Sequence, residues 1–322
     1  MEGLGEFPFF PAGTSWQAAW SLLEEFSLND GLPMVPPTGD LLEEMLDDAP
    51  RGISHGQLPP LFGELTAAAV AYQCVLAGCA PGALPIVMTA ATACLEERFN
   101  LLGILTTTGT PAVMAIVHGA CSERLGMNAG TNCLGPGNRG NATIGRAIAL
   151  VMRNIGGARP GIGDMATMGQ PGKIGICIPE NNEEILPSFC HRTGCDGDAV
   201  TVLGISGTIE VLPGGDGDTP EAVLAHVGSV LAAARSAASA GQARVLGEQF
   251  FLLPPELACQ ITKRGWDLGR IQSFLFERAE IARSPQDIHP IITGGPGVKM
   301  TCLPLWAGGT LSVTKPLLRL GI

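Results

Sequence analysis

ARVLGEQFFLL (243–253), PPELACQITKRG (254–265), LGRIQSFLFERAEIA (268–282) and HPIITGG (289–295) follow one another as strand, helix, helix and strand. TLSVTKPL (310–317) reads as one more strand. Parallel strands need a long crossover, usually helical, so strands alternating with helices predict an α/β domain. The expected architecture is layered, with mixed or partly parallel sheets, flanking helices and two subdomains.

Working outward, residues 220–239 form an Ala-rich helix that starts at Thr219-Pro220. The stretch before it, PGGDGDTPEA (213–222), is the best linker in the chain. A boundary near 215 follows, dividing the chain into an arm (1–50), an α/β domain (51–214) and a smaller α/β domain (215–322). In the arm, SWQAAWSLLEEFSLN (15–29) carries Trp16, Trp20, Leu23 and Phe26 along one stripe of a helix, and residues 39–48 make a short acidic helix. In the middle region LLGILTTTG (101–109), TPAVMAIVHG (110–119), KIGICIPE (173–180), VTVLGIS (200–206) and TIEVL (208–212) read as strands, and 142–155 as a helix. Residues 65–95 carry no charge, but Gly78, Pro81, Gly82 and Pro85 cut them into two helix-length pieces, too short to span a bilayer.

Composition narrows the function. The chain has 322 residues, 46% of them apolar, with a net charge of -11, so it can bury a large core and is poorly suited to nucleic acid. Its mean hydropathy is +0.28. Of 19 basic residues only Lys173, Lys263, Lys299 and Lys315 are lysines, a bias that a GC-rich genome produces without any functional cause. The acidic, Pro-interrupted start MEGLGEFPFF does not read as a secretory signal. With 10 cysteines and no Cys-x-x-Cys pair, free thiols in a reducing cytoplasm are expected, and no metal centre. No Ser-His-Asp order, nucleophile elbow, P-loop or His-Glu-x-x-His occurs.

The densest polar segment is NCLGPGNRGNATIGR (132–146). Its Gly-x-Gly-x-x-Gly is a poor dinucleotide fingerprint, because Pro136 stiffens the turn and no strand ends immediately before it. Exposed backbone N–H groups leading into a helix favour an anion, with Arg139 and Arg146 as guanidinium forks and Asn132, Asn138 and Asn141 as neutral donors. The alternative is a structural loop whose asparagines cap the helix. Gly294-Gly295-Pro296-Gly297 before Lys299 sits beyond a strand, where α/β folds bind ligands, so Gly295 and Lys299 join the substrate-binding candidates. Cys79 stands at the break between the two apolar helices, where a helix N-terminus can favour thiolate. His191 lies in the one cluster of His, Cys and carboxylate, Cys190-His191-Arg192-Thr193-Gly194-Cys195-Asp196, and is the candidate acid/base. Asp164 and Lys173 form an opposite-charge pair in a long loop, the expected wall of a site. Glu180 is a further carboxylate at a strand end. His55, His118 and His226 read as packed or surface residues.

Asp30–Thr38 (DGLPMVPPT), Leu76–Pro81 (LAGCAP), Leu134–Arg139 with Asn141–Arg146, and Gly294–Gly297 resemble an uncharacterised bacterial family associated with UGSC-type (seleno)proteins. The resemblance points to Cys79, Asn138, Arg139 and Arg146 and names no reaction or cofactor. The chain has no Cys-Gly-Ser-Cys, so a reductive role would need a thiol-containing partner chain or another thiol. The expectation is a cytoplasmic, oligomeric enzyme acting on a small carboxylate by lyase- or hydratase-type chemistry. Cys79, His191 and Asp164 would be its catalytic groups. The alternatives are a thiol-dependent oxidoreductase subunit and a non-catalytic anion-binding subunit of a hetero-oligomer.

Overall fold

The computed structural model describes residues 7–181, 185–215, 217–239, 246–279 and 282–321. Residues 1–6 of the arm, Asp216 of the linker, 243–245 of the expected strand and 280–281 of the expected helix lie outside them.

The arm holds α1 (Trp16–Glu25) and α2 (Gly39–Leu46), each started by a hydroxyl cap, Ser15 for Ala18 N–H and Thr38 for Leu41 N–H. A hairpin of β1 (Ser54–Leu58) and β2 (Gly63–Thr66) leads into α3 (Ala67–Ala77) and α4 (Leu84–Cys94). These two helices are the expected apolar pair, with Gly78 at φ 79° closing α3. No helix among the described residues is long and apolar enough to cross a membrane.

The next segment corrects an expectation: LLGILT is not a strand but α5 (Leu101–Thr106). Asn100 caps it by accepting from Gly103 N–H, and Leu101, Ile104 and Leu105 bury one helical stripe. The β-branched threonines that suggested a strand mostly lie beyond its end.

There follow β3 (Ala112–His118), α6 (Cys121–Arg124), α7 (Arg139–Leu150) with a π-helical turn over Val151–Ile155, β4 (Ile176–Pro179), α8 (Phe189–Arg192) and β5 (Ala199–Ile205). Then come β6 (Ile209–Val211), α9 (Pro220–Ser239), β7 (Gln249–Leu253), α10 (Pro255–Lys263), α11 (Leu268–Ala279), β8 (Ile288–Ile292), β9 (Met300–Leu303) and β10 (Val313–Pro316).

The strands form two mixed four-stranded sheets, β10-β5-β3-β4 and β6-β9-β7-β8, flanked by helices in an α/β fold. Four layers result. Ala115, Val117, Val200 and Val202 face the helical core of α3, α4 and α7, while Met114, Ile116, Leu203 and Ile205 face the other way. There they meet Phe250, Leu252, Ile291 and Leu303 of the second sheet, whose outer residues Phe251, Leu253 and Met300 pack on the helices of the second lobe. Strands covered on both faces must be apolar throughout, which is why they read as unbroken runs rather than alternating ones.

The two sheets repeat one plan. Each has a parallel pair (β3 with β4, β7 with β8), an antiparallel third strand (β5, β9) and an antiparallel edge strand. The edge strands are exchanged, because β6 follows β5 but joins the second sheet, and β10 follows β9 but joins the first. Ile205 and Leu305 pair antiparallel at the crossing point, with Ser206 N–H donating to Pro304 O at 2.7 Å and Trp306 N–H to Gly204 O at 2.9 Å. The chain therefore changes sheets between Ile205 and Ile209, ahead of the linker at 213–222, and the segment after 215 is not closed on itself, since β10 completes the first sheet.

Candidate functional site

The parallel pair of the first sheet ends in polar residues. β3 closes at His118, and Gly119 turns the chain at φ 83°, where a Cβ would sit 2.6 Å from Asp198 Oδ1 and 2.7 Å from Gly197 O. β4 closes at Pro179, and Glu180 N–H donates to Val117 O at 2.9 Å, placing the two side chains together. His118 Nδ1 lies 2.7 Å from Glu180 Oε2, both groups almost fully buried. His118 Nε2 lies 2.7 Å from Thr201 Oγ1, which is 2.8 Å from Thr314 Oγ1. Glu180 also accepts from Phe189 N–H at 3.0 Å, the first amide of α8.

A carboxylate can only accept, so a ring proton sits on Nδ1 facing Glu180, while Nε2 is within hydrogen-bonding distance of the Thr201 hydroxyl, which in turn meets that of Thr314. The row runs from beyond β4 across β3 and β5 to β10. Its geometry is that of a hydroxyl–base–carboxylate triad, yet Thr201 has no exposed surface and cannot attack a substrate. The row does not supply a nucleophile.

A cavity of about 610 Å³ opens at this end of the sheet, bordered by His118, Glu180, Cys190, His191, Cys195 and Asp196. Ligands of open α/β sheets bind beyond the carboxyl ends of the strands, which is where it lies. On its rim His191 Nδ1 meets Asp196 Oδ1 at 2.9 Å, with both side chains well exposed. This bond leaves Nε2 to exchange protons. Cys190 Sγ donates to Cys195 O at 2.9 Å, and burial pushes that thiol up to about 11, so it stays protonated at neutral pH. Among the described residues no group of three or more His, Cys, Asp or Glu could hold a metal ion.

The remaining expected residues fall elsewhere. Asp164 and Lys173 do pair, at 2.6 Å, but they border a different cavity of about 550 Å³ near the start of β3, together with Asp30 and Arg153. They do not join His191. Cys79 is buried and donates to Thr143 O at 3.3 Å. A hydrogen bond from Cys74 holds its thiol below the ordinary value, helped by Arg139 and Arg146 against the opposing effect of burial. It borders neither cavity, so Cys79, His191 and Asp164 are not one catalytic set.

The polar side chains of the expected anion loop bond within the protein. Asn132 Nδ2 donates to Pro136 O at 2.8 Å and Asn138 Nδ2 to Asn132 O at 2.8 Å. Asn141 Nδ2 bonds Asn128 O and Cys133 O at 2.9 Å each. Arg139 donates to Gly78 O from two nitrogens at 3.2 Å. Arg146 grips Asp30 with Nε at 2.7 Å and Nη2 at 2.8 Å, and adds Pro33 O at 3.0 Å. The asparagines fold the loop, and the arginines fasten the arm and the α3 end to α7. Gly295 serves close packing, since a Cβ would lie 2.1 Å from Thr131 Oγ1. Lys299 pairs with Glu210 at 3.2 Å on the exposed surface.

His118 is the residue that sequence reasoning set aside. A histidine ending a buried strand, just before a glycine, with a carboxylate just past the next strand, was the signal available. Thr201, in the middle of an apolar run, offered none. Comparison with protein-family models, curated proteins and solved structures found no match for this chain.

Proposed function

We propose that the protein is an enzyme acting on a small molecule by general acid–base catalysis of the lyase or hydratase type, in the cavity at the ends of β3 and β4. The observation that carries this reading is that two imidazole–carboxylate pairs, His191–Asp196 at the rim and His118–Glu180 at the floor, border the same space. Addition to or elimination from a carbon skeleton needs one group to take a proton and another to give one, and such a pair is worth a factor of about 10²–10⁴ per group.

In this reading His191 Nε2 is the exchanging base or acid and Asp196 orients its ring. Glu180 faces the substrate from below, and His118 passes charge into the Thr201–Thr314 row. In an elimination one pair removes the proton from carbon while the other protonates the departing heteroatom; in hydration the roles reverse. Among the described residues bordering the cavity none is Lys or Arg, so the reading takes an uncharged polar substrate in place of the carboxylate expected from the loop.

The test is proton exchange. The protein is incubated in D₂O with a panel of uncharged hydroxy and α,β-unsaturated carbonyl compounds, and loss of C–H signals is followed by NMR. His191→Gln and Glu180→Gln should each slow the exchange by about 10²-fold or more. Exchange that survives both substitutions unchanged overturns the reading.

A further inference from the structure

We infer that the cavity at the start of β3 binds an aliphatic monocarboxylate, with Arg153 and Asn29 holding its carboxylate and apolar walls holding its tail. This cavity, of about 550 Å³, is bordered by Ala112 and Val113, the first residues of β3. The candidate acid–base cavity is bordered by His118, at the other end of the same strand. A strand of 7 residues puts the two roughly 20 Å apart, so they are separate spaces.

Two residues that hold each other make the polar end. Arg153 Nε donates to Asn29 O at 2.8 Å, and both residues border the cavity. The two terminal nitrogens of Arg153 form no hydrogen bond or ion pair among the described residues. Asn29 Nδ2 is buried and has no partner either. A buried donor left without an acceptor is costly, and one carboxylate lying against both groups would accept from each.

The carboxylates already bordering the cavity are taken. Asp164 accepts from Lys173 at 2.6 Å, and Asp30 accepts from Arg146 Nε at 2.7 Å and Nη2 at 2.8 Å. Burial and the charge of Arg159 push Arg153 below its ordinary value, against the opposing effect of Asp30. The guanidinium nevertheless stays charged. Arg153 is thus the charged side chain at this cavity with no ion-pair partner among the described residues, which selects a single anionic group.

The rest of the wall is hydrocarbon, from Ile104, Leu105, Val113, Leu150, Met152 and Ile174, with no aromatic ring among the described residues that border it. Met168 also borders it and is 90% exposed, so the apolar lining runs out to solvent. The loop that forms this side is fastened in place. Gln170 Nε2 donates to Thr110 O at 2.8 Å and to Ile205 O at 2.9 Å, and Thr167 N–H donates to Thr108 O at 2.9 Å. A pre-formed, mostly apolar space with a few convergent donors, in the range of about 300–1,000 Å³, suits a small amphipathic molecule.

Octanoate is the probe, titrated calorimetrically into the whole chain, with octanol, octylammonium and acetate as controls. Saturable binding below millimolar concentration is expected for octanoate and absent for octylammonium and acetate. Octanol, which keeps the tail and loses the charge, should bind about tenfold more weakly or worse. Arg153→Gln should lower octanoate affinity about tenfold or more. Ala149→Leu fills the cavity from α7 with a good helix former and should do the same, which decides the matter if the arginine variant does not fold. His191→Gln, at the other end of β3, should bind octanoate as the parent does. No saturable binding of octanoate, or equal binding of octanol, overturns the proposal. So does parent-like affinity in the folded Arg153 or Ala149 variant, or a loss of affinity in the His191 variant.

Discussion

Superposed by their strand registers, the two lobes put different residues at the same places. Val117 corresponds to Leu253, Ile176 to His289 and Glu180 to Thr293, while His118 corresponds to Pro254. The first lobe ends its parallel pair in an imidazole and a carboxylate bordering a cavity; the second ends it in a proline that starts α10 and a threonine whose Oγ1 donates to Pro179 O at 3.0 Å. One plan thus carries the candidate site in one lobe and a structural tie in the other. Backbone topology supplies a position at a strand end, and the side chain there decides whether that position lines a cavity with titratable groups or ties two sheets together.

The sharpest way to break this comparison is to remove Glu180. Glu180→Ala leaves His118 Nδ1–H and Phe189 N–H buried without their acceptor, and should cost about 3–5 kcal/mol in urea unfolding. A loss near that expected for Thr293 would show the two positions to be equivalent supports. Next comes Gly145, where α7 crosses β4 so closely that a Cβ would lie 2.8 Å from Ile176 N. Gly145→Ala meets backbone that cannot swing aside, so a loss of about 1–3 kcal/mol is expected from the same measurement.

His289 sharpens the comparison through pH. It takes the position equivalent to Ile176 in the inter-sheet layer, packed on Phe189 and Phe250, and among the described residues neither ring nitrogen has a hydrogen-bond partner. Glu248 Oε1, at 3.9 Å, is too distant to bond it. Burial, with Arg192 nearby, lowers its pKa to about 3. The unfolded chain therefore binds a proton that the fold excludes, and the stabilisation is whole above about pH 6.5 and lost as pH falls toward 3, at about 1.4 kcal/mol per unit. Thermal unfolding of His289→Phe between pH 6.5 and 5 should show a shallower decline than the parent. An equal decline would mean that His289 is not excluded as its surroundings imply.

The smallest effect belongs to the structural tie. Thr293→Val removes the bond to Pro179 O and should cost about 1 kcal/mol while leaving proton exchange at the first-lobe cavity unaltered. A large loss of exchange would mean that the second lobe shares in the chemistry.

Much of the layered fold was legible locally. Apolar runs bounded by glycine and proline located β3, β4, β5 and β8, and the Gly78–Pro85 break separated α3 from α4. LLGILT misled because the threonine run 106–108 begins on the last residue of a short helix whose stripe only a cap at Asn100 reveals. The Asn/Gly loop was ambiguous for a different reason, since residue types suited to gripping an anion are equally suited to gripping one another. His191 and Asp196 are five residues apart and could be paired from sequence, whereas His118, Glu180 and Thr201 are 62 and 83 positions removed from each other's partners.

Composition and periodicity were enough to establish α/β class, layered sheets with flanking helices and buried helices too short for a bilayer, because burial and hydrogen bonding within an element depend on near neighbours in the chain. The exchange of edge strands and the polar row across β3 and β5 depend on contacts between distant segments. No local pattern encodes such contacts, since their energy arises only when the layers close.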